Sequence, residues 1–343
     1  MSAEVYWKVS TDRTAREVAH TGYGLRVETQ ERLVRRGVNA VWRLHTSEGV
    51  FALKRFGRHA VPDWLEFQQA ATARAAAHGV PVQPLVEAVD HATTVEYQGS
   101  QWQLRPYVAG RGYIDGYAED LARAADCAAM LHTTRCEGLP AGGHNPTQDM
   151  EYWLTADETG MEELADAVLA SSPGELWEAV RPAYLDAFRR ARAELDDPLY
   201  RSLPQTLTHG EIAGSNLVFD EAGHISSVLD WDAVDIRPRV YDLARAALFL
   251  ARKGRGSFMV HPELATELLV RGTAPRPAEP RELAAVVPIL ELYCVPTPQY
   301  VAQLGCHSPD TLQWYLGWAA EGASMVRTTL APAVAAAASR IGR

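Results

Sequence analysis

The sequence is poor in lysine: of its 33 basic residues only Lys8, Lys54 and Lys253 are lysine, the rest being arginine. A lysine inside a strand-like stretch is therefore conspicuous, and Lys54 is such a residue. Cysteine is also scarce. Cys127, Cys136, Cys294 and Cys306 form no CxxC pair, so neither a zinc cluster nor a disulfide framework is signalled, and they read as reduced thiols. No basic stripe interrupts a formal net charge of −10, which argues against a nucleic-acid partner, because phosphate backbones reward clustered Lys and Arg. Near the start, Glu4, Lys8, Asp12 and Arg13 break up any apolar run of signal-peptide or membrane-spanning length. No membrane association and a cytoplasmic location are the expectations. What is there is ample apolar material, 47% of residues against 22% charged, in 343 residues, which suits a folded chain of two lobes around a cleft.

From residue 25 to 56 apolar and polar residues alternate, punctuated by Gly37 and Gly49, which is the period of strands joined by tight turns. Residues 63–78 carry a helical stripe of Trp64, Leu65, Phe67, Ala71 and Ala75 behind Pro62. Strand character returns from 86 to 107 around a Gln98-Gly99-Ser100 turn. The segment Val108-Ala109-Gly110-Arg111-Gly112 then breaks the pattern, and helices are expected over residues 118–134, 147–169, 174–195, 241–251, 262–270, 280–293 and 309–330, with residues 331–343 as a frayed tail. These shifts divide the chain into a first lobe, residues 1–107, and a second, residues 108–343. Trp314, Tyr315 and Trp318 read as core packing by their helical spacing.

Inside the helical half lies an island of strands, residues 206–234. In it, His209-Gly210-Glu211 and Asn216 sit on a Gly-interrupted loop leading into a strand, and after the Glu221-Ala222-Gly223 turn a second strand delivers Asp230-Trp231-Asp232. One hairpin thus gathers Glu211, Asn216 and Asp230. Carboxylates with an amide oxygen are hard ligands of the kind Mg²⁺ accepts while it keeps waters and binds phosphates. A phosphoryl group in transfer needs positioning and charge neutralisation more than covalent chemistry, and these side chains offer the right atoms.

The stretch resembles the catalytic and metal-binding hairpin of the aminoglycoside phosphotransferase, choline kinase and homoserine kinase type II families, which share a protein-kinase-like fold. Their pattern of His-Gly-Asp, four residues, Asn, then Ile-Asp-Trp-Glu and Tyr-Asp-Leu-Ala is matched by His209-Gly210-Glu211, Asn216, Leu229-Asp230-Trp231-Asp232 and Tyr241-Asp242-Leu243-Ala244. The resemblance runs from about residue 32 to 251. It implies an α+β, bilobal fold: a small antiparallel sheet with one helix binding nucleotide, and a larger, mainly helical lobe carrying the catalytic hairpin. It implies ATP and Mg²⁺ as cofactors, with Asn216 and Asp230 holding the metal, position 211 as the catalytic carboxylate, and His209 and Asp242 bracing the loop.

In the first lobe it implies Lys54 as the strand lysine for the nucleotide phosphates, with Glu66 on the following helix as its carboxylate partner and Asp63 as the fallback. The turn containing Gly37 and Asn39 would cover the phosphates through backbone amides, and Pro106 and Val108 would offer main-chain atoms to adenine. The departure from the pattern is Glu211 in place of Asp, which moves the carboxylate by about 1.3 Å. The reaction expected is transfer of the γ-phosphoryl group to a hydroxyl of a small molecule, an antibiotic or a metabolite. Asp232 and Asp235, just past the metal strand, read equally as contacts for a cationic acceptor or as solvated loop acids. Two alternatives stand beside it: a kinase acting on Ser or Thr of a precursor peptide, which implies a partner protein, and a nucleotide-binding pseudokinase impaired by Glu211.

Overall fold

Alternate residues of the first strands face opposite sides of a sheet, and the burial pattern follows them. In the computed structural model, which describes residues 12–34, 39–57, 60–141, 150–171, 174–307 and 309–342, helix α1 (Asp12–Tyr23) precedes strands β1 (Val27–Val34), β2 (Ala40–Thr46) and β3 (Gly49–Arg55). Helix α2 (Pro62–Ala77) follows, then β4 (Val95–Tyr97) and β5 (Ser100–Pro106). The strands form one antiparallel sheet in the order β1-β2-β3-β5-β4. Trp42, Leu44, Leu53, Trp102 and Leu104 turn one way and pack with Ala15, Val18 and Ala19 of α1. Such fully buried side chains contribute about 1.5–3 kcal/mol each. Lys54, between Leu53 and Arg55, turns the other way, in register with Val41 and Gln103.

Helix α2 opens on Pro62 with Asp63 in its first turn, a favourable start for a helix. It divides its apolar face. Trp64 and Leu65 pack with Phe56 and Ala60, whereas Phe67, Ala71 and Ala75 enter the large core of the helical half. The segment after β5 is tied to that half as well. Arg111 exchanges backbone hydrogen bonds with Phe219 (2.9 and 2.8 Å) and makes a two-pronged ion pair with Asp120 (2.6 and 2.8 Å). Gly110 permits this approach, since a Cβ there would lie 2.4 Å from the Phe219 carbonyl oxygen.

The second half contains α3 (Ala118–His132), α4 (Tyr152–Thr155), α5 (Glu158–Leu169), α6 (Gly174–Glu194) and α7 (Asp197–Ser202). Then come β6 (Gln205–Thr208), β7 (Leu217–Phe219), β8 (Ile225–Val228) and β9 (Asp235–Pro238), pairing as β6 with β9 and β7 with β8, both antiparallel. Helices α8 (Arg239–Ala251), α9 (Pro262–Gly272), α10 (Pro280–Tyr293), α11 (Pro298–His307) and α12 (Pro309–Ile341) complete it. The single helix expected over residues 147–169 is two helices within the described part, because Ala156 is extended and Asp157 caps a new start by accepting from the Thr159 N–H. The tail expected to fray is helical to Ile341: Leu330, Ala333 and Ala337 continue a buried stripe, and Thr266 of α9 donates to the Ala333 carbonyl. Tyr315 is buried as expected, but Trp314 is 63% exposed. Among the described residues no helix is long and apolar enough to cross a membrane.

Candidate active site

A cavity of about 640 Å³ lies between the sheet and the β7–β8 hairpin, within the usual range for small-molecule sites. Val41, Ala52 and Lys54 line it from the sheet, Pro106 and Val108 from the segment leaving β5, and Glu211, Asn216 and Asp230 from the hairpin.

The loop between β6 and β7 is held from beneath by one carboxylate. Asp242, fully buried near the start of α8, accepts the backbone N–H groups of His209 (2.7 Å) and Gly210 (2.8 Å), and lies 3.2 Å from His132 Nε2. Burial alone would raise the Asp242 carboxyl, but His132 and the backbone donors outweigh it and hold it below its usual value. His209 is also fully buried. Its Nε2 is 2.9 Å from the Leu229 carbonyl, an acceptor, while its Nδ1 receives the Glu211 N–H at 3.2 Å. Those partners require the neutral ring with its proton on Nε2, and burial depresses its pKa in agreement. Gly210 has φ +79°, and a Cβ on it would lie 2.2 Å from the Ala233 carbonyl oxygen, so the turn admits only glycine.

Asn216 ends a short 3₁₀ turn, Gly214–Asn216, and its side-chain amide donates to the Glu211 carbonyl at 3.0 Å. Across the hairpin its own carbonyl accepts from the Leu229 N–H at 2.8 Å. Loop and strand end are thereby locked to each other. Asp230 follows with φ 57° and ψ 66°, the left-handed region that a non-glycine residue enters only when its surroundings impose it.

Lys54 bridges sheet and hairpin. Its ammonium donates to Asp230 Oδ1 at 2.7 Å and to Asp232 Oδ1 at 2.5 Å, and lies 4.9 Å from the Phe56 ring centre. Burial would lower the lysine pKa, but the two carboxylates more than reverse it. Asp230 is held below its usual value because the Lys54 charge overcomes its burial. Asp232 is pushed up to about 6 by burial, against the pull of Lys54. Asn39 donates to Asp232 Oδ2 at 2.5 Å and accepts from the Gly57 N–H at 3.0 Å. The point where the two carboxylates converge thus already holds a positive charge. Hard oxygens of Asp230 and Asn216 on one hairpin are a donor set that fits a divalent ion of the Mg²⁺ type, whose remaining positions go to water and phosphate.

Glu211 is half-buried, its carboxyl raised by burial, with Arg245 pulling the opposite way. Arg245, on α8, also lines the cavity, together with Tyr241, Tyr293 and Tyr300. Tyr300 is pushed up to about 12 by burial and by the nearby Glu211 carboxylate.

Glu211, Asn216, Asp230, Lys54, Asn39, Pro106 and Val108 therefore line one cavity, with His209 behind them. Gly37 falls outside the described residues. Glu66 is a correction: it is exposed on α2, as is Asp63, and Lys54 pairs with Asp230 and Asp232 instead. The α2 side chain that reaches the cavity is Gln68, which is buried and accepts from Gln103 at 3.5 Å. The helical stripe itself carried that signal, because position 68 is one turn from Trp64 and from Ala71 and position 66 is not. Arg245 was missed although it is one residue past the Tyr241-Asp242-Leu243-Ala244 motif and one turn from Tyr241.

Residues 31–286 match the model of the Phosphotransferase enzyme family. No curated protein matches by sequence. Among solved structures, the fold is similar to that of a microcompartment-associated aminopropanol kinase, at 18% identity and TM-score 0.68, covering 92% of this chain and 97% of that one. An aminoglycoside phosphotransferase from Alicyclobacillus acidocaldarius aligns at 16% identity and TM-score 0.62, covering 93% and 94%. A spectinomycin phosphotransferase solved with ADP and spectinomycin aligns at 11% identity and TM-score 0.61, covering 92% and 98%. These likenesses identify a bilobal α+β architecture of protein-kinase type, with the antiparallel sheet in one lobe and the β7–β8 hairpin in the other. The match spans most of the chain and includes both the sheet lysine and the hairpin, and the protein belongs to the phosphotransferase enzyme family.

Proposed function

We propose that the protein moves the γ-phosphoryl group of ATP to a hydroxyl of a small molecule, with residues 1–107 holding the nucleotide and residues 108–343 supplying the catalytic hairpin and the acceptor space. The observation that carries this reading is the convergence of Lys54, Glu211, Asn216 and Asp230 on one cavity. Val41 and Ala52 provide an apolar bed for the base, and Pro106 and Val108 its main-chain contacts. Lys54 neutralises phosphate charge once it exchanges a carboxylate for phosphate oxygens. Asn216 and Asp230 would hold Mg²⁺, which would supply charge neutralisation to the phosphates.

Glu211 orients the acceptor hydroxyl and receives its proton as the oxygen–phosphorus bond forms and ADP departs. Asp242 and His209 touch neither substrate. They fix the backbone of the loop through hydrogen bonds at 2.7–3.2 Å, and so fix where the Glu211 carboxylate begins. The extra methylene of Glu211 relative to Asp lengthens its reach by about 1.3 Å, and its charge is felt by Arg245 and Tyr300, which line the same cavity.

Phosphorus NMR of ATP with the protein, Mg²⁺ and a panel of small hydroxyl compounds tests the reading. A new phosphomonoester signal with ADP, lost in Asp230→Asn, is expected. Nucleotide binding without transfer to any acceptor, including water, is the outcome that a binding-only protein would give and would count against a transferase.

A further inference from the structure

Arg245 is 6% exposed and lines the cavity beside Glu211, yet among the described residues no carboxylate lies within ion-pair distance of it. Its Nη1 donates to the Tyr241 hydroxyl (3.0 Å) and its Nη2 to that of Tyr293 (3.4 Å), while Nε is buried without a partner. Its guanidinium carbon stands 4.4 Å from the Tyr293 ring centre and 5.5 Å from that of Tyr241. A guanidinium has five N–H groups, so two phenol contacts leave it far from satisfied. An unpaired buried charge is costly, and the same chain avoids that cost nearby. Arg239, equally buried, binds Glu282 at 2.7 and 3.0 Å, and Arg237 lies 3.4 Å from both Glu151 and Asp235.

Glu211, whose charge acts on Arg245, makes no ion pair with it among the described residues, whereas two other acids of the cavity are already engaged. Asp232 is held by Lys54 and Asn39, and Asp235 by Arg237 and the Ile236 N–H. Asp232 and Asp235, read from the sequence either as contacts for a cationic acceptor or as solvated loop acids, are both tied to groups of the protein itself. Arg245 is a positive group of the cavity with no carboxylate partner among the described residues, and the phenols of Tyr241 and Tyr293 orient it without neutralising it.

We propose that the acceptor is a hydroxy acid: a small molecule whose hydroxyl meets Glu211 while its carboxylate is received by Arg245. This rests on the phosphotransferase reading and adds the chemical class of the acceptor. A planar guanidinium matches a carboxylate through paired, charge-assisted hydrogen bonds, and a cavity walled by tyrosines strengthens them by excluding water. Polycationic acceptors are disfavoured by the same charge.

The test is calorimetric titration of protein saturated with Mg²⁺ and AMP-PNP, using D-glycerate, L-serine and ethanolamine as probes. The three separate a carboxylate alone, a carboxylate with an amine, and an amine alone. D-glycerate and L-serine are expected to bind at least about tenfold more tightly than ethanolamine, as one charge-assisted contact implies. Arg245→Met should erase that preference and leave the AMP-PNP affinity unchanged, and Arg245→Lys should restore part of it. Ethanolamine binding as well as the acids, absence of carboxylate binding at millimolar concentration, or an Arg245→Met protein with undiminished carboxylate affinity would each overturn the proposal. The wild-type ranking decides even where Arg245→Met does not fold. Failure of AMP-PNP itself to bind would instead overturn the phosphotransferase reading.

Discussion

At the scale of single residues, the site depends on side chains that do different physical work at close quarters. Glu211 can be removed without disturbing the nucleotide's contacts, because its side chain makes no hydrogen bond to Lys54, Asn216 or Asp230. Glu211→Ala should therefore lower kcat by about 10²–10⁴-fold, the range for a lost proton acceptor, while AMP-PNP affinity measured by calorimetry stays near wild type. Asp242→Asn acts differently. It leaves one of the His209 and Gly210 N–H groups facing an amide rather than a carboxylate oxygen, in a fully buried place. A loss of about 1–3 kcal/mol in denaturant unfolding is expected, with activity falling alongside. This was also where the sequence was most legible, since the family resemblance carried by His209 to Asp242 implied the loop and its brace. Pairing was less so. Lys54 stood out by the scarcity of lysine, but its partners Asp230 and Asp232 lie more than 170 positions away, and although the stripe of α2 favours Gln68 over Glu66 for the buried face, nothing in it shows which of that face's residues reach the cavity.

At the scale of elements, the hairpin is positioned by close backbone approaches that leave no room for side chains. Gly210→Ala would combine a left-handed backbone, about 1–2 kcal/mol for an L-residue, with a Cβ set 2.2 Å from the Ala233 carbonyl. The expected result is a lower melting temperature and a displaced Glu211, so that activity falls by more than the stability loss explains. Thermal melts and activity assayed well below the melting temperature check this together. Elements with a clear period were legible, such as α10, whose span is the expected one because Pro280 opens it and Glu279 and Glu282 cap each other. Others were not. Helix α12 runs on through Pro332 because Leu330, Ala333 and Ala337 are buried against the helices around them, a tertiary contact that an alanine-rich sequence does not announce. Helices α1 and α11 were not expected either. The apolar face of α1 is short and becomes meaningful only against Trp42 and Leu53 of the sheet.

At the scale of the whole molecule, sheet and hairpin meet through a small set of polar contacts, Lys54 with Asp230 and Asp232 and Asn39 with Asp232. A nucleotide and its metal would replace part of that set, so ligand binding and the stability of the closed cleft are linked. Saturating Mg²⁺ and AMP-PNP at about 100 times the dissociation constant should stabilise the fold by about 2.7 kcal/mol, visible as a higher melting temperature that a chelator largely reverses. Lys54→Met removes the cation and leaves two acids facing each other, so it should weaken nucleotide binding and abolish most of that gain. The most direct test of the central claim, that one hairpin holds a divalent ion against a nucleotide, is the AMP-PNP affinity of wild type and Asp230→Asn with and without Mg²⁺. The wild type should bind on the order of tenfold more tightly with the metal, and the variant should lose that increment. Equal metal dependence in both proteins would contradict the account.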